Sequence, residues 1–540
     1  MKGSLRLSMS WLHTWTGLWL GWVLYFMFVT GTAAYFDTEI DRWMKPEAPL
    51  ARTGVPADQV ARAGIAHLQQ HAAGAQRWIV TLPIDRNDPY PRVFWDGHQA
   101  PGQPARGEAF LDADTGAALS TRETGGGQAL YRMHWRLHYL PEVAAEWIVG
   151  VATMFMLVAL VSGVIVHKKI FADFFTFRPG KGQRSWLDAH NATSVLTLPY
   201  QFMITYSGLI FMMFTYMPLV IAAWYGPGEP GRKVFLDEVF LSPEALPASG
   251  QAAPLVDVQR VLAQVPAHWG DKPVRSIDVR HAGDRHARIT VRGNFAAGPL
   301  RVADALVFDG VDGRLLSAQP ASQRGPKAFR DLMLGLHEAL FAGPWLRLLF
   351  AVSGLMGCAM VATGLVLWVV KRRQRIEKTR QAPSLGLRLV ERLNVAAVAG
   401  LPLAVAAYFW ANRLLPLHLA GRASWEMHVL FATWALAFVH AAARTPQRGW
   451  LEQCRFAALA FALLPLLNAW TTQRGLNQSL PAGDWVMAGF DLSMLALGAG
   501  FAWLAAHLKR RWDRAQAVGA AAGPFSPTGM SPARDAGALE

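Results

Sequence analysis

The sequence predicts a mainly α-helical membrane protein: about eight transmembrane helices, two small α+β domains outside the bilayer, and an internal duplication of the first four spans. Three observations lead there. Of the 540 residues, 52% are hydrophobic and only 17% charged, and the apolar residues gather into runs long enough to cross a hydrocarbon core of about 30 Å. Lys and Arg collect between particular pairs of runs, as they do in loops kept on the cytoplasmic side. The first four runs and the polar segments between them also fall into two matching sets.

Taken in order, the spans are expected at 14–36, 144–167, 191–222, 345–370, 393–411, 425–443, 455–470 and 485–506. Lys2 and Arg6 ahead of the first run resemble a signal peptide. That run is too long for one and carries His13 at its mouth, so an uncleaved first span is expected. Between spans one and two, VPADQVARAGIAHLQQHA reads as a helix and RWIVTLPI, PRVFWDG and EAFLDADTGAAL as strands. Between spans three and four the order repeats, with PLVDVQRVLAQVPAHW and then SIDVRH, ARITVRGN and ADALVFDGVDGRLLSAQ. Each segment is read as one helix followed by three or four antiparallel strands, with DADTG and DGVDG as hairpin turns. Calcium loops are the other reading of those turns, but the EF-hand spacing is missing.

The expected organisation is a first repeat at 1–167 with its external domain at about 37–135, a cytoplasmic loop at 168–189, and a second repeat at 190–372 with its external domain at about 225–330. An appended four-helix membrane bundle follows at 393–507, and a disordered tail at 515–540. Lys168, Lys169, Arg178, Lys181 and Arg184 lie between spans two and three, and a run from Lys371 to Arg392 lies between four and five. Both termini are therefore expected in the cytoplasm and both domains on the other side of the membrane. This bias explains the net charge of +14, which leaves little case for a nucleic-acid partner. Cys358 and Cys454 lie apart with no CxxC, against a disulfide framework, an iron–sulfur cluster or structural zinc.

Histidines carry the functional signal. His13 opens the first span and His190 the third, and each is followed eighteen residues later by a glycine, Gly31 or Gly208, itself preceded by a hydroxyl residue. His138 and His337 precede the second and fourth spans, which end alike in SGVIVH and TGLVLW. Imidazoles at membrane helices are costly and rarely idle. Four at repeat-equivalent positions match two bis-histidine b-type haems, His13 with His190 on the cytoplasmic side and His138 with His337 outside. His167 and His134 are alternative ligands, and interfacial anchoring is the other reading of His13 and His190. Gly31 and Gly208 are read as clearance for porphyrin packing. His428, His440, His418 and His507 are read as packing or interfacial, with a third site or a quinone pocket as the alternative. His67, His71, His98, His268, His281 and His286 are expected exposed in the external domains.

On these residues the chain resembles the PepSY-associated membrane proteins. The run HKKIFADFFTFRPGKGQRSWLDAHNAT is similar to the branch holding ferric-siderophore reductases of the ferrioxamine-reductase type. The resemblance covers residues 1 to about 372. It implies PepSY-like periplasmic domains and an inner-membrane oxidoreductase with two b-type haems, passing electrons from the cytoplasmic side to ferric siderophore, a hydroxamate chelate by preference, and releasing iron as Fe(II). No flavin or nicotinamide domain is visible, so a quinol or a separate reductase is the expected donor. A siderophore or peptide permease and a non-redox PepSY regulatory or binding protein are the competing expectations.

Overall fold

Residues 2–51, 54–97, 105–167, 178, 180, 182–216, 218–240, 246–321 and 324–521 are described by the computed structural model. His98, Lys168, Lys169, Lys181 and the tail beyond 521 lie outside the described residues. The first helix, α1 (Lys2–Ala34), is an apolar rod of 33 residues. α2 (Asp37–Met44), α3 (Ala57–His71), three strands and α4 (Gly126–Arg136) follow it, and the rod α5 (Glu142–Val166) ends the first repeat.

The second repeat starts with α6 (Gln183–Leu196) and α7 (Leu198–Phe211). The expected third span, 191–222, is therefore not one continuous helix. Pro199 sits in the first turn of α7 and has no N–H to bond back to Val195, and the chain turns again at Met212 before the short helices α8 (Met213–Tyr216), α9 (Pro218–Tyr225) and α10 (Gly228–Phe240). Beyond the external segment come α13 (Gly325–Glu338) and the long α14 (Pro344–Thr379). Seven helices among the described residues are long and apolar enough to cross a membrane.

The two external segments form one sheet. β1 (Arg77–Thr81), β2 (Arg92–Asp96) and β3 (Arg106–Phe110) come from the first repeat, and β4 (Val274–Arg280), β5 (Arg288–Gly293), β6 (Ala305–Asp309) and β7 (Leu315–Gln319) from the second. They pair antiparallel in the order β3-β2-β1-β4-β5-β6-β7. The expected pair of small domains is thus joined through β1 and β4, where Arg77 faces Arg280 and Thr81 faces Ser276. Neither strand then leaves an open edge. Arg77 donates to both carboxylate oxygens of Asp278 across the joint, at 3.0 and 2.5 Å. α3, with α11 (Val258–Leu262) and α12 (Val265–Trp269), covers one face and buries Val60, Leu68, Val261 and Val265 against Val80, Val93, Ile277 and Ile289. In DADTG the Asp112 carboxylate accepts the backbone N–H of Asp114 and Thr115, and in DGVDG that of Asp309 accepts the N–H of Val311. Both are aspartate-capped turns.

α15 (Leu385–Val398), α16 (Gly400–Leu414), α17 (Arg422–Ala443), α18 (Pro446–Thr471), α19 (Leu476–Ser479) and α20 (Trp485–Ala521) make the appended bundle. α20 continues as helix past 515, where the disordered tail was expected to begin. The bundle is bound to α1 and α2 through a shared core of Tyr25, Phe26, Trp43, Leu401, Tyr408 and Phe490. Buried polar contacts fix the register: Arg42 pairs with Asp484 at 2.8 Å, Trp43 Nε1 donates to Asp491 at 2.9 Å, and Arg413 donates to the Trp43 carbonyl.

Candidate cofactor sites

Two histidine pairs meet between the repeats. The rings of His13 on α1 and His190 on α6 have centres 6.2 Å apart at an interplanar angle of 68°. Those of His134 on α4 and His337 on α13 are 6.1 Å apart at 45°. Metal–imidazole bonds of about 2.0 Å, with about 1.1 Å from ring centre to ring nitrogen, put two imidazoles that share one metal atom about 6 Å apart. Both observed separations match that spacing.

Each ring is aimed by the same local device. His13 Nδ1 lies 2.9 Å from the Ala159 carbonyl oxygen, His134 Nδ1 2.8 Å from that of Met27, and His190 Nδ1 2.9 Å from that of Met360. A carbonyl only accepts, so Nδ1 carries the proton and Nε2 keeps its lone pair. His337 Nδ1 lies 2.9 Å from Ser207 Oγ. That hydroxyl donates at 2.6 Å to the Met203 carbonyl, so it accepts from the imidazole and the tautomer is the same. A ligating histidine with its other nitrogen held in this way is fixed in orientation and made a better donor to a metal.

Glycine supplies the room on the opposing helix. A Cβ at Gly163 would stand 3.3 Å from His13 Cε1, one at Gly31 2.7 Å from His134 Cε1, one at Gly364 3.2 Å from His190 Cε1, and one at Gly208 3.2 Å from His337 Cε1. Each glycine follows a hydroxyl residue: Ser162, Thr30, Thr363 or Ser207. The structure thus places the imidazoles themselves over Gly31 and Gly208, where porphyrin clearance was expected, because the ring fills the space that a side chain would take. Gly163 and Gly364, which sequence reasoning passed over, do the same work inside SGVIVH and TGLVLW.

The outer pairing also differs from expectation. His337 meets His134, and His138 stands apart from both. Leu137 ends α4 in the left-handed conformation at φ 48°, and His138 follows at φ 43°. The chain turns away there, and the exposed His138 ring stacks on Phe431 with centres 5.4 Å apart. A signal for His134 was present: it stands seven residues before Pro141, as His337 stands seven before Pro344. His167, the alternative at the other pair, accepts from Asn191 Nδ2 on Nε2 at 2.7 Å. It lies near His190, through the neighbouring Asn191.

The two pairs sit at different depths of the same helix. His13 lies near the start of α1, and the Met27 carbonyl and Gly31 that seat His134 lie 14 to 18 residues further on, about 21–27 Å along the axis. The sheet stands on the His134 side. The appended bundle helps to hold that end: Glu426 accepts from Thr124 Oγ at 2.6 Å and from Gly125 N at 3.0 Å, and Tyr408 donates to the Gly126 carbonyl at 2.9 Å. These contacts fix the start of the helix that carries His134. The other histidines of the bundle have separate contacts, His428 with Tyr139 and His440 with Glu452.

A cavity of about 690 Å³ surrounds His134 and His337 and opens toward the sheet. Its lining is mixed, with Leu24, Met27, Phe28, Val149 and Met156 among the apolar residues and Asp37, Asp41, Lys45, Arg132 and Arg275 among the charged ones. That size lies in the range of small-molecule and cofactor sites. Burial and the neighbouring Asp41 push the Asp37 carboxyl up to about 6.

Similarity to known proteins agrees with this architecture. Over 393 residues the chain is 28% identical to the "Uncharacterized protein PA4219" of Pseudomonas aeruginosa, covering 68% of this chain and 90% of that one. Residues 10–371, which hold both histidine pairs, their glycine seats and the sheet, match the family described as the PepSY-associated TM region. The chain is a multi-pass membrane protein that belongs to this family.

Proposed function

We propose that the protein is a di-haem transmembrane electron carrier that reduces ferric siderophore on the sheet side of the membrane. In this reading it is a ferric-siderophore reductase of the bacterial inner membrane, with both termini in the cytoplasm and the sheet in the periplasm. The observation that carries it is the pair of metal-spaced imidazole couples, each ring with Nδ1 bonded and Nε2 left to ligate, at two depths of α1. Among the described residues no group of three His, Cys, Asp or Glu side chains is gathered for a metal ion. A porphyrin brings its own equatorial ligands to a metal held between two imidazoles.

A b-type haem in each couple supplies a one-electron Fe(III)/Fe(II) centre. The protein's part is placement: α1 bears on both sites, His13 and His134 come from the first repeat, and His190 and His337 from the second. Both couples bridge the repeats, so the spacing of the two centres is set by the rise of one rigid helix. Hydroxamate oxygens are hard ligands that hold Fe(III) far better than Fe(II), so reduction of such a chelate releases its iron. The electron donor is a quinol or a separate cytosolic reductase.

The test is a pyridine haemochrome assay on the purified protein, with acidified acetone extraction. Two non-covalent b haems per chain and split α bands on dithionite reduction are expected. A colourless protein, or haem that stays with the polypeptide, defeats the reading.

A further inference from the structure

We propose that α9 lies flat in the membrane interface on the sheet side and sets Leu219, Val220 and Trp224 against lipid, so that the α9–α10 hairpin is an interfacial anchor. The partner of this surface is the headgroup and upper acyl region of the leaflet there. This placement is independent of any haem.

The sequence PLVIAAWY, the whole of α9, carries no charged residue, and none of its side chains is buried. Its two sides differ. Leu219, Val220, Ala223 and Trp224, neighbours on one face by their spacing of four, are exposed, whereas Ile221, Ala222 and Tyr225 are half-buried. Leu219 is 82% and Trp224 84% exposed. The half-buried side belongs to α10: the Tyr225 and Phe235 rings meet edge to face with centres 5.3 Å apart. Between the two helices the chain reverses at Gly226 and Gly228, at φ 94° and 77°, a conformation that glycine adopts without strain. α10 supplies the polar complement. Glu229, Arg232 and Lys233 are exposed on it, and Arg232 pairs with Glu229 at 3.4 Å.

Contacts at α8 set the depth at which the hairpin begins. Thr215 donates to Glu146 at 2.7 Å, and Glu146 stands in the second turn of α5, next to the exposed Trp147. Phe214 packs between Phe235 of α10, with ring centres 5.4 Å apart, and the Arg330 guanidinium of α13, at 5.3 Å. Further along α5, Met154, Phe155, Val158, Val161 and Ile165 are exposed, and α14 opens with Trp345, 82% exposed. Apolar exposure of that kind is the surface a span turns to lipid, and tryptophan collects where spans leave the hydrocarbon. α9 therefore starts at the level of this belt with an apolar face of its own. An apolar face backed by a charged helix is the pattern of a helix lying in the interface plane, and the hydrophobic effect opposes leaving such a face in water.

The experiment attaches a nitroxide at Leu219→Cys and, separately, at Trp224→Cys in the full chain, reconstituted in phosphatidylcholine–phosphatidylglycerol vesicles. Cys358 and Cys454 are buried and shielded from the label. Collisions with oxygen, which concentrates in lipid, are compared with collisions with a water-soluble nickel chelate. Val161→Cys on α5 and the exposed Arg280→Cys at the end of β4 set the lipid and water limits. Both α9 positions should favour oxygen as Val161→Cys does, several-fold over Arg280→Cys, while Arg232→Cys on α10 should behave as Arg280→Cys does. Nickel accessibility at either α9 position equal to that at Arg280→Cys overturns the proposal. Low accessibility to both reagents, or dipolar broadening between labels, shows a protein surface or a second copy on this face and overturns it too. Lipid-like behaviour at Arg232→Cys makes the hairpin part of a span and equally overturns the interfacial placement.

Discussion

Replacing Gly31 with alanine is the sharpest perturbation of the outer site. The added Cβ stands 2.7 Å from both Cε1 and Nδ1 of His134, whereas ordinary carbon contacts lie at about 3.5–4.0 Å. The ring has to retreat by about 1 Å. It is tethered to the same helix by its bond to the Met27 carbonyl at 2.8 Å, which a retreat from that helix stretches and breaks, at about 1 kcal/mol. Overpacking adds about 1–3 kcal/mol. The better helix propensity of alanine acts on the helix whether or not ligand is bound, so it does not offset this loss. A net penalty of about 2–4 kcal/mol on ligation weakens haem binding at this site by about 30- to 800-fold. The three other glycine seats are looser, at 3.2–3.3 Å, and a retreat of a few tenths of an ångström accommodates alanine at each. Haem per folded chain, with the two centres separated by redox titration, should show one haem lost or weakened in Gly31→Ala and two retained in Gly163→Ala, Gly208→Ala and Gly364→Ala. Equal behaviour of all four variants, or unchanged haem affinity in Gly31→Ala, would refute the reasoning.

Two other expectations follow from the same geometry. His134→Ala and His337→Ala should each remove the outer haem and keep the inner one, whereas His138→Ala should keep both; haem stoichiometry decides this, and loss of a haem in His138→Ala would contradict the pairing. Because burial raises the Asp37 carboxyl to about 6, the folded protein binds that proton more tightly than the unfolded chain does, and the associated stability is present below the unfolded value near 4 and lost as pH rises through about 6. Asp37→Asn should therefore gain about 2 kcal/mol at pH 8, reduced from the full linkage value because the group faces an open cavity, and gain nothing below pH 4; parallel denaturation curves of the two proteins across that range would count against it.

Membrane class and the helix-then-strands order of each external segment were legible in the residues, because they follow from local properties: run length and the alternation of strands such as RWIVT. That His13 and His190 lie together was legible for the same reason, since segments aligned without a gap carry corresponding residues at matching positions. The other pair was marked only by the equal spacing of His134 and His337 from Pro141 and Pro344; a left-handed turn at Leu137 and His138 decides which of two nearby histidines faces inward, and backbone handedness at a non-glycine residue leaves no compositional trace. The union of the two external segments through β1 and β4 was equally hidden, since an antiparallel edge is chosen by what comes to lie beside it. Spans five to eight showed only their hydrophobicity. Arg413 on Trp43, Asp484 on Arg42 and Glu426 on Thr124 turn them into a brace for α2 and α4, and those contacts join residues hundreds of positions apart. Local composition sets the character of most segments, while the facing of His134 and His337 depends on where separate helices cross and on which glycines let a ring approach a neighbouring backbone.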